Sequence, residues 1–263
     1  MRYNNLIGKR QTLREGDYRA ENGTIICGIC GTARECRIDW PGIGETWAPC
    51  MCECEKVKTY KGIENEKKTQ KRRIAETRRE RAFPSGSNLK YCTLDTDDRK
   101  NLPITEAIRK YIDNMGENLQ EGKNLVLAGG VGTGKTFMSA AILNAAFDAG
   151  FTGLFTTISE QINALTGAFD KNTILHELAS YDFVVFDDWG VERETSFALE
   201  QIYNIINSRY LAKKPSIFTT NMGLLAFSDE SIEKQRIFSR VFENATTIPF
   251  TGEDRRYVHF KAQ

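Results

Sequence analysis

Residues Asn124 to Gly150 read "NLVLAGGVGTGKTFMSAAILNAAFDAG", and no other part of the chain is as specific. Within them "GGVGTGKT", Gly129 to Thr136, fits the pattern G-x-x-x-x-G-K-[ST]. The apolar run Asn124 to Ala128 has the length of one buried strand. Phe137 to Ala149 is rich in helix formers and is closed by Gly150. The motif therefore sits between a strand and a helix N-terminus, where its chemistry needs it. Backbone N–H groups of Gly129, Gly130, Val131, Gly132, Thr133, Gly134, Lys135 and Thr136 can converge on a phosphate, because the glycines carry no Cβ to obstruct it. The helix start adds partial positive charge. Lys135 is expected to reach the β- and γ-phosphates of ATP, and the Thr136 hydroxyl to bind Mg²⁺.

Downstream, "GLFTTIS" (153–159) reads as a second strand, and "EQINALTGAF" with "TILHELAS" as one or two helices. "FVVFDDWG", Phe183 to Gly190, runs four apolar residues into two aspartates. Ligands collect at such strand C-termini in a parallel α/β sheet. Asp187 is expected to hold Mg²⁺, and Asp188 to orient or deprotonate the attacking water. "FALEQIYNIINSRYLAKKP" has the apolar spacing of a helix packed on a sheet. "SIFTTN" is a further strand, whose terminal Asn221 either contacts the γ-phosphate or its water, or simply turns the chain. "PITEAIRKYIDNM" (103–115), ahead of the phosphate loop, is helical in its spacing. In the tail Arg236 and Arg240 share a helix face. By spacing alone they are surface arginines; functionally, one could reach the γ-phosphate of a neighbouring subunit, and Arg255 and Arg256 could act within their own. The fold class expected is α/β, a parallel sheet flanked by helices.

The chain has 263 residues, enough for one ATPase domain and a small appendage, and a net charge of +1 points to neither a nucleic acid nor a membrane. No apolar run approaches the ~20 residues that span a bilayer, and the first residues carry no signal-peptide pattern. A cytoplasmic, reducing compartment is the expectation. There, six of seven cysteines falling between Cys27 and Cys54 suggest metal rather than disulfides. "CGIC" supplies Cys27 and Cys30; "PCMCEC" supplies Cys50, Cys52 and Cys54. The expected Zn²⁺ ligands are Cys27, Cys30, Cys52 and Cys54, with Cys50 the main competitor and Cys36 a spare. The loop between, with Trp40, Pro41, Gly42, Gly44 and Trp47, reads as two short strands around turns. From Glu55 to Arg81 eleven basic residues face five acidic ones. That stretch reads as an exposed helix interrupted near Gly62 and ended by Pro84, serving either as a solvated linker or as a surface for phosphate or a partner. Phe83 and Tyr91 are expected to pack on the ATPase domain or near the adenine. The division expected is 1–54 for the zinc module, 55–90 for the basic linker and 91–263 for the ATPase domain.

Together "GGVGTGKT", "FVVFDDWGVE", "INSRY…P…FTTN", "R…SRV" and "TGEDRR" resemble, in type and order, the bacterial and phage helicase loaders of the DnaC/DnaI type, AAA+ ATPases related to IstB. The similarity covers nearly all of residues 91 to 260, and the cysteine-rich start resembles the helicase-binding end of DnaI-like loaders. The resemblance implies that Asp187 and Asp188 form the Walker B pair and that Asn221 is sensor 1. It implies that Arg240 is an arginine finger acting in trans and Arg256 the sensor 2 residue, with Arg255 as the competitor. Asp188 stands where many AAA+ proteins have Glu, which implies slow hydrolysis. The partners implied are a replicative DnaB-type helicase, single-stranded DNA and further copies of the chain in an AAA+ oligomer. Single-strand contacts are expected between Gly153 and Lys171, where Phe155, Phe169 and Lys171 offer stacking and charge. The alternatives are an IstB-like transposition ATPase that binds duplex DNA, and a nucleotide-dependent binding module without turnover.

Overall fold

A computed structural model describes residues 11–98, 101–190, 195–222, 231–252 and 254–255. The chain forms two compact units, divided between Gln70 and Lys71.

The first unit holds two antiparallel pairs, β1 (Tyr18–Arg19) with β2 (Ile25–Ile26) and β3 (Glu35–Trp40) with β4 (Gly44–Pro49). The second pair turns through Gly42 and Gly44, both at positive φ, which side-chain-bearing residues rarely adopt. After β4 the chain enters α1 (Glu53–Ala82), which carries the division between the units. The expected interruption near Gly62 is absent: α1 runs unbroken through it. One glycine costs a helix about 1 kcal/mol. The flanking Lys, Glu and Arg are good helix formers, and pairs such as Lys68–Glu64 at 2.8 Å add support. The helix stops at Ala82, two residues before Pro84, as expected.

The second unit takes the C-terminal end of α1 and continues through α2 (Leu102–Asp113), α3 (Met115–Glu121), β5 (Asn124–Gly129), α4 (Lys135–Ala149), β6 (Gly153–Thr157), α5 (Ile158–Gly167), α6 (Lys171–Ser180), β7 (Phe183–Trp189), α7 (Ser196–Leu211), β8 (Ser216–Thr220), α8 (Ile232–Phe242) and β9 (Ala245–Phe250). The five strands from β5 to β9 form one parallel sheet in the order β6-β7-β8-β5-β9. Alternate residues of each strand face opposite sides. Leu125, Leu127, Phe183, Val185 and Ile217 enter one apolar cluster, with α2 and α4. Val126, Val184, Phe186 and Phe218 enter the other, with α5, α7 and α8. A sheet covered on both faces explains why these strands read as continuous apolar runs. The order brings the C-terminal ends of β7, β8 and β5 together. Among the described residues no helix is long and apolar enough to cross a membrane.

The helix read across 103–115 is α2, which ends at Asp113; Asn114 is its C-cap and the N-cap position of α3. One sequence expectation meets a correction here. Phe155 cannot stack on a base: it is buried in the core, 5.5 Å from the Phe83 ring. Phe169 is fully exposed, and Lys171 lies over the Phe197 ring at 5.8 Å. Phe83 packs on Phe147 and Phe155, as expected, whereas Tyr91 is exposed.

Candidate functional site

The phosphate loop leaves β5 at Gly129 and enters α4 at Lys135. A side chain on Gly129 would collide with the Phe250 carbonyl of neighbouring β9, so the sheet itself demands glycine there. Gly134, at φ +99°, is the N-cap of α4 and has no side chain to occupy the cradle. Lys135 is buried. Its Nζ donates to the carbonyls of Gly129 at 2.8 Å and Gly130 at 2.6 Å, and to Asn221 Oδ1 at 2.8 Å. Asn221, one residue past β8, is thus tied to the phosphate loop by its side chain.

Asp187 and Asp188 lie near the C-terminal end of β7, just before Trp189. Asp187 is buried and accepts the Thr219 hydroxyl at 2.6 Å. Burial raises the Asp187 carboxyl above the usual range, and the neighbouring Asp188 charge adds to this, while the nearby Thr219 and Thr136 hydroxyls oppose it. Asp188 faces outward at φ +53°, a region that Asp tolerates better than longer side chains do. That backbone turn is a physical reason for Asp rather than Glu at this position. Its N–H donates to Thr219 Oγ1 at 2.9 Å. Thr219 therefore braces both aspartates, and the sequence reading did not name it. The available signal was a hydroxyl two residues before a polar strand end, beside the acidic strand.

The resulting cleft has a volume of about 440 Å³. Its lining includes Gly132, Gly134, Lys135, Thr136, Asp188 and Asn221, with Thr96, Asp97, Asp98 and Phe137 at another side. Arg255 also lines it, paired with Asp98 at 2.9 Å. Thr96 to Asp98, "TDD", were not named in the sequence reading. A hydroxyl, a buried carboxylate, an ammonium and an amide at the mouth of a glycine cradle suit a phosphorylated ligand with a divalent cation.

Arg240 is not among the residues lining this cleft. It lies on α8, donates to Asn207 Oδ1 at 2.9 Å and to the Tyr203 hydroxyl at 2.8 Å, and stacks over the Tyr203 ring at 4.6 Å. Arg256 falls outside the described residues.

In the first unit Cys27 and Cys30 come from the turn after β2, and Cys52 and Cys54 from the entrance of α1. Their ligand sulfurs all lie within 4.8 Å of one another. Gly31, at φ +68°, closes the turn by donating its N–H to the Cys27 carbonyl at 2.8 Å. Cys36 and Cys50 are outside the group. Tetrahedral zinc with Zn–S bonds near 2.3 Å holds its sulfurs ~3.8 Å apart. The Cys27–Cys54 and Cys52–Cys54 separations are 3.6 and 3.3 Å, so the donor set fits such an ion. The Thr32 hydroxyl draws Cys30 down to about 5, and the Cys52 thiol pushes Cys54 up to about 12. Four thiols this close cannot all ionise without a cation between them. Arg34 donates to Cys27 Sγ at 3.2 Å and pairs with Asp17 and Glu55, tying the cluster to its surroundings.

Residues 64–261 match the family described as "IstB-like ATP binding protein". The replicative helicase loader DnaI of Bacillus subtilis is 24% identical over 178 residues, covering 62% of this chain and 57% of the relative. The replicative helicase loader DnaC of Escherichia coli K12 is 26% identical over 121 residues, covering 44% and 48%. An ATP-binding protein of insertion sequence IS1162 from Pseudomonas fluorescens is 26% identical over 142 residues, covering 52% and 61%. The matched stretches therefore span only about half the length of these curated relatives. Among solved structures, the DnaC helicase loader superposes with a TM-score of 0.53 at 27% identity, over 63% of this chain and 100% of that one. The sheet and its helices share the AAA+ ATPase fold of these neighbours.

Proposed function

The chain belongs to the IstB-like ATP-binding protein family, and from that membership we propose that it is an ATP-dependent loader. It binds the hexameric replicative DnaB-type helicase and delivers it to single-stranded DNA when replication starts. One observation carries the nucleotide half of this reading: Lys135, Thr136, Asp188 and Asn221, from separate parts of the sequence, line one cleft at the ends of β5, β7 and β8. The loop N–H groups and the α4 N-terminus receive the phosphates, and Lys135 exchanges the Gly129 and Gly130 carbonyls for phosphate oxygens. Thr136 and Asp187 are the residues that would hold Mg²⁺, which neutralises charge on the transferring phosphoryl group. Asp188 orients the attacking water or takes its proton, and Asn221 holds the γ-phosphate or that water. The short reach of Asp188 makes hydrolysis slow.

Arg240 serves the γ-phosphate of a neighbouring copy in an AAA+ oligomer, after leaving Asn207 and Tyr203. Arg256 or Arg255 acts as sensor 2. Cys27, Cys30, Cys52 and Cys54 hold a structural Zn²⁺, and the module of residues 1–54 docks on the helicase. Residues 55–90 link it to the ATPase domain, 91–263. The direct test mixes the protein with the cognate helicase, ATP and single-stranded DNA. Unwinding should rise with the intact chain and not with Lys135→Ala. A chain that binds ATP yet neither captures the helicase nor stimulates it ends the loader reading.

The likeness to the insertion-sequence ATP-binding protein favours a second reading, an ATPase that binds duplex DNA and recruits a transposase. Filter binding with both substrates separates the two: tighter binding to duplex than to single strand selects the second.

A further inference from the structure

Arg255 is fixed to the phosphate loop through its backbone, its N–H donating to the Gly132 carbonyl at 3.0 Å. Its guanidinium lies over the cradle, 3.6 Å from where a Cβ on Gly134 would stand. There Nη1 meets Asp98 Oδ1 at 2.9 Å and lies 3.7 Å from Asp97 Oδ1. The Asp97 side chain is only 1% exposed. Its Oδ2 accepts the Thr105 hydroxyl at 2.6 Å, while Oδ1 has no hydrogen-bond donor among the described residues. The buried carboxylate thus has one oxygen anchored and the other facing the arginine. Asp97, Asp98 and Arg255 all line the nucleotide cleft.

A guanidinium fork fits a carboxylate and a phosphate equally well. It cannot serve both fully at once when they approach from different sides. We propose that Asp97 and Asp98 are positioning residues that hold Arg255 over the phosphate loop and compete with nucleotide phosphate for it. This rests on the reading of the cleft as a nucleoside triphosphate site. When the phosphates take Arg255, both carboxylates lose its guanidinium beside a strongly anionic ligand, which opposes binding. The pair therefore weakens nucleotide affinity and makes release easier, a useful property in a protein that must cycle. Asp98 is the member to perturb, since it is partly exposed and its loss leaves the Asp97–Thr105 anchor intact.

The test is an equilibrium titration of the full-length protein with a fluorescent, non-hydrolysable ATP analogue and Mg²⁺. An exposed ion pair is worth up to about 1 kcal/mol, so Asp98→Asn should tighten binding about three- to fivefold. In an Arg255→Gln background the same substitution should lose most of that gain. An equal gain in both backgrounds means that Asp98 acts on the ligand by charge alone, which overturns the competition while leaving the cleft reading intact. Unchanged or weaker binding by Asp98→Asn does the same. A wild-type chain that binds no analogue removes both. As a second readout, the Arg255 guanidinium NMR signal should shift when the analogue is added; a signal that stays in its ligand-free position also refutes the exchange.

Discussion

Thr219 shows how one hydroxyl can govern two carboxylates. Its hydroxyl donates a hydrogen bond to Asp187 and accepts one from the Asp188 N–H, so it favours the charge of one aspartate and holds the backbone turn of the other. Thr219→Val keeps the volume of the side chain and removes both bonds. Its loss should lower hydrolysis by about tenfold, in line with about 1.4 kcal/mol for a bond to a charged group, while ATP is still bound. The pH dependence has a definite sign. Burial already places the Asp187 carboxyl above its ordinary value, and the Thr219 bond pulls it down. Mg²⁺-dependent activity should therefore fall as pH drops through that raised pKa, and in Thr219→Val the fall should begin at higher pH. A profile whose acidic limb does not move would show that Thr219 leaves the Asp187 charge alone. The phosphate loop, both aspartates and Asn221 were legible from sequence because each rests on a short local pattern. Thr219, Asp97 and Asp98 were not, since their roles arise only where parallel strands and a preceding loop meet in space.

The strands and helices differ in how openly the sequence declares them. Strands β5, β7 and β8 were legible because burial on both faces leaves almost uninterrupted apolar runs. Strands β1 and β2, two residues each, carry no such signal. The continuity of α1 was missed because Gly62 invites a break that its neighbours override. At Gly62 a Cβ would meet nothing within 4 Å, so Gly62→Ala should raise helix stability by about 0.5–1 kcal/mol, read as slower amide exchange around residue 62. Unaltered exchange would mean that α1 is not helical there. A second element-level device is Asn144 on α4. Its amide donates to the Leu89 and Cys92 carbonyls at 3.0 and 2.8 Å, and its oxygen accepts Arg79 Nε at 3.0 Å. Asn144→Leu leaves these groups unpaired in the core. Urea unfolding should show a loss of about 2–4 kcal/mol; a loss below 1 kcal/mol would mean that water replaces the amide.

At the scale of the whole molecule, the two units rest on different sources of stability. The second has an apolar cluster on each face of its sheet. The first buries Ile25, Cys27 and Cys52 but leaves Ile29, Ile43 and Tyr60 exposed, too small a core to hold a fold alone. If zinc supplies the difference, its removal should unfold one unit and spare the other. The three tryptophans make this measurable: Trp40 and Trp47 lie on β3 and β4, whereas Trp189 is buried at the end of β7, 5.0 Å from the Phe218 ring. With fluorotryptophan labelling, a strong chelator should release one equivalent of zinc and collapse the Trp40 and Trp47 signals toward the unfolded position. The Trp189 signal should stay, and should still respond to ATP, because Trp189 adjoins Asp188. Cys27→Ser should reproduce the collapse without chelator. If all three signals survive metal removal, the thiol cluster is not what holds the first unit together; if Trp189 collapses as well, the second unit does not stand on its own core.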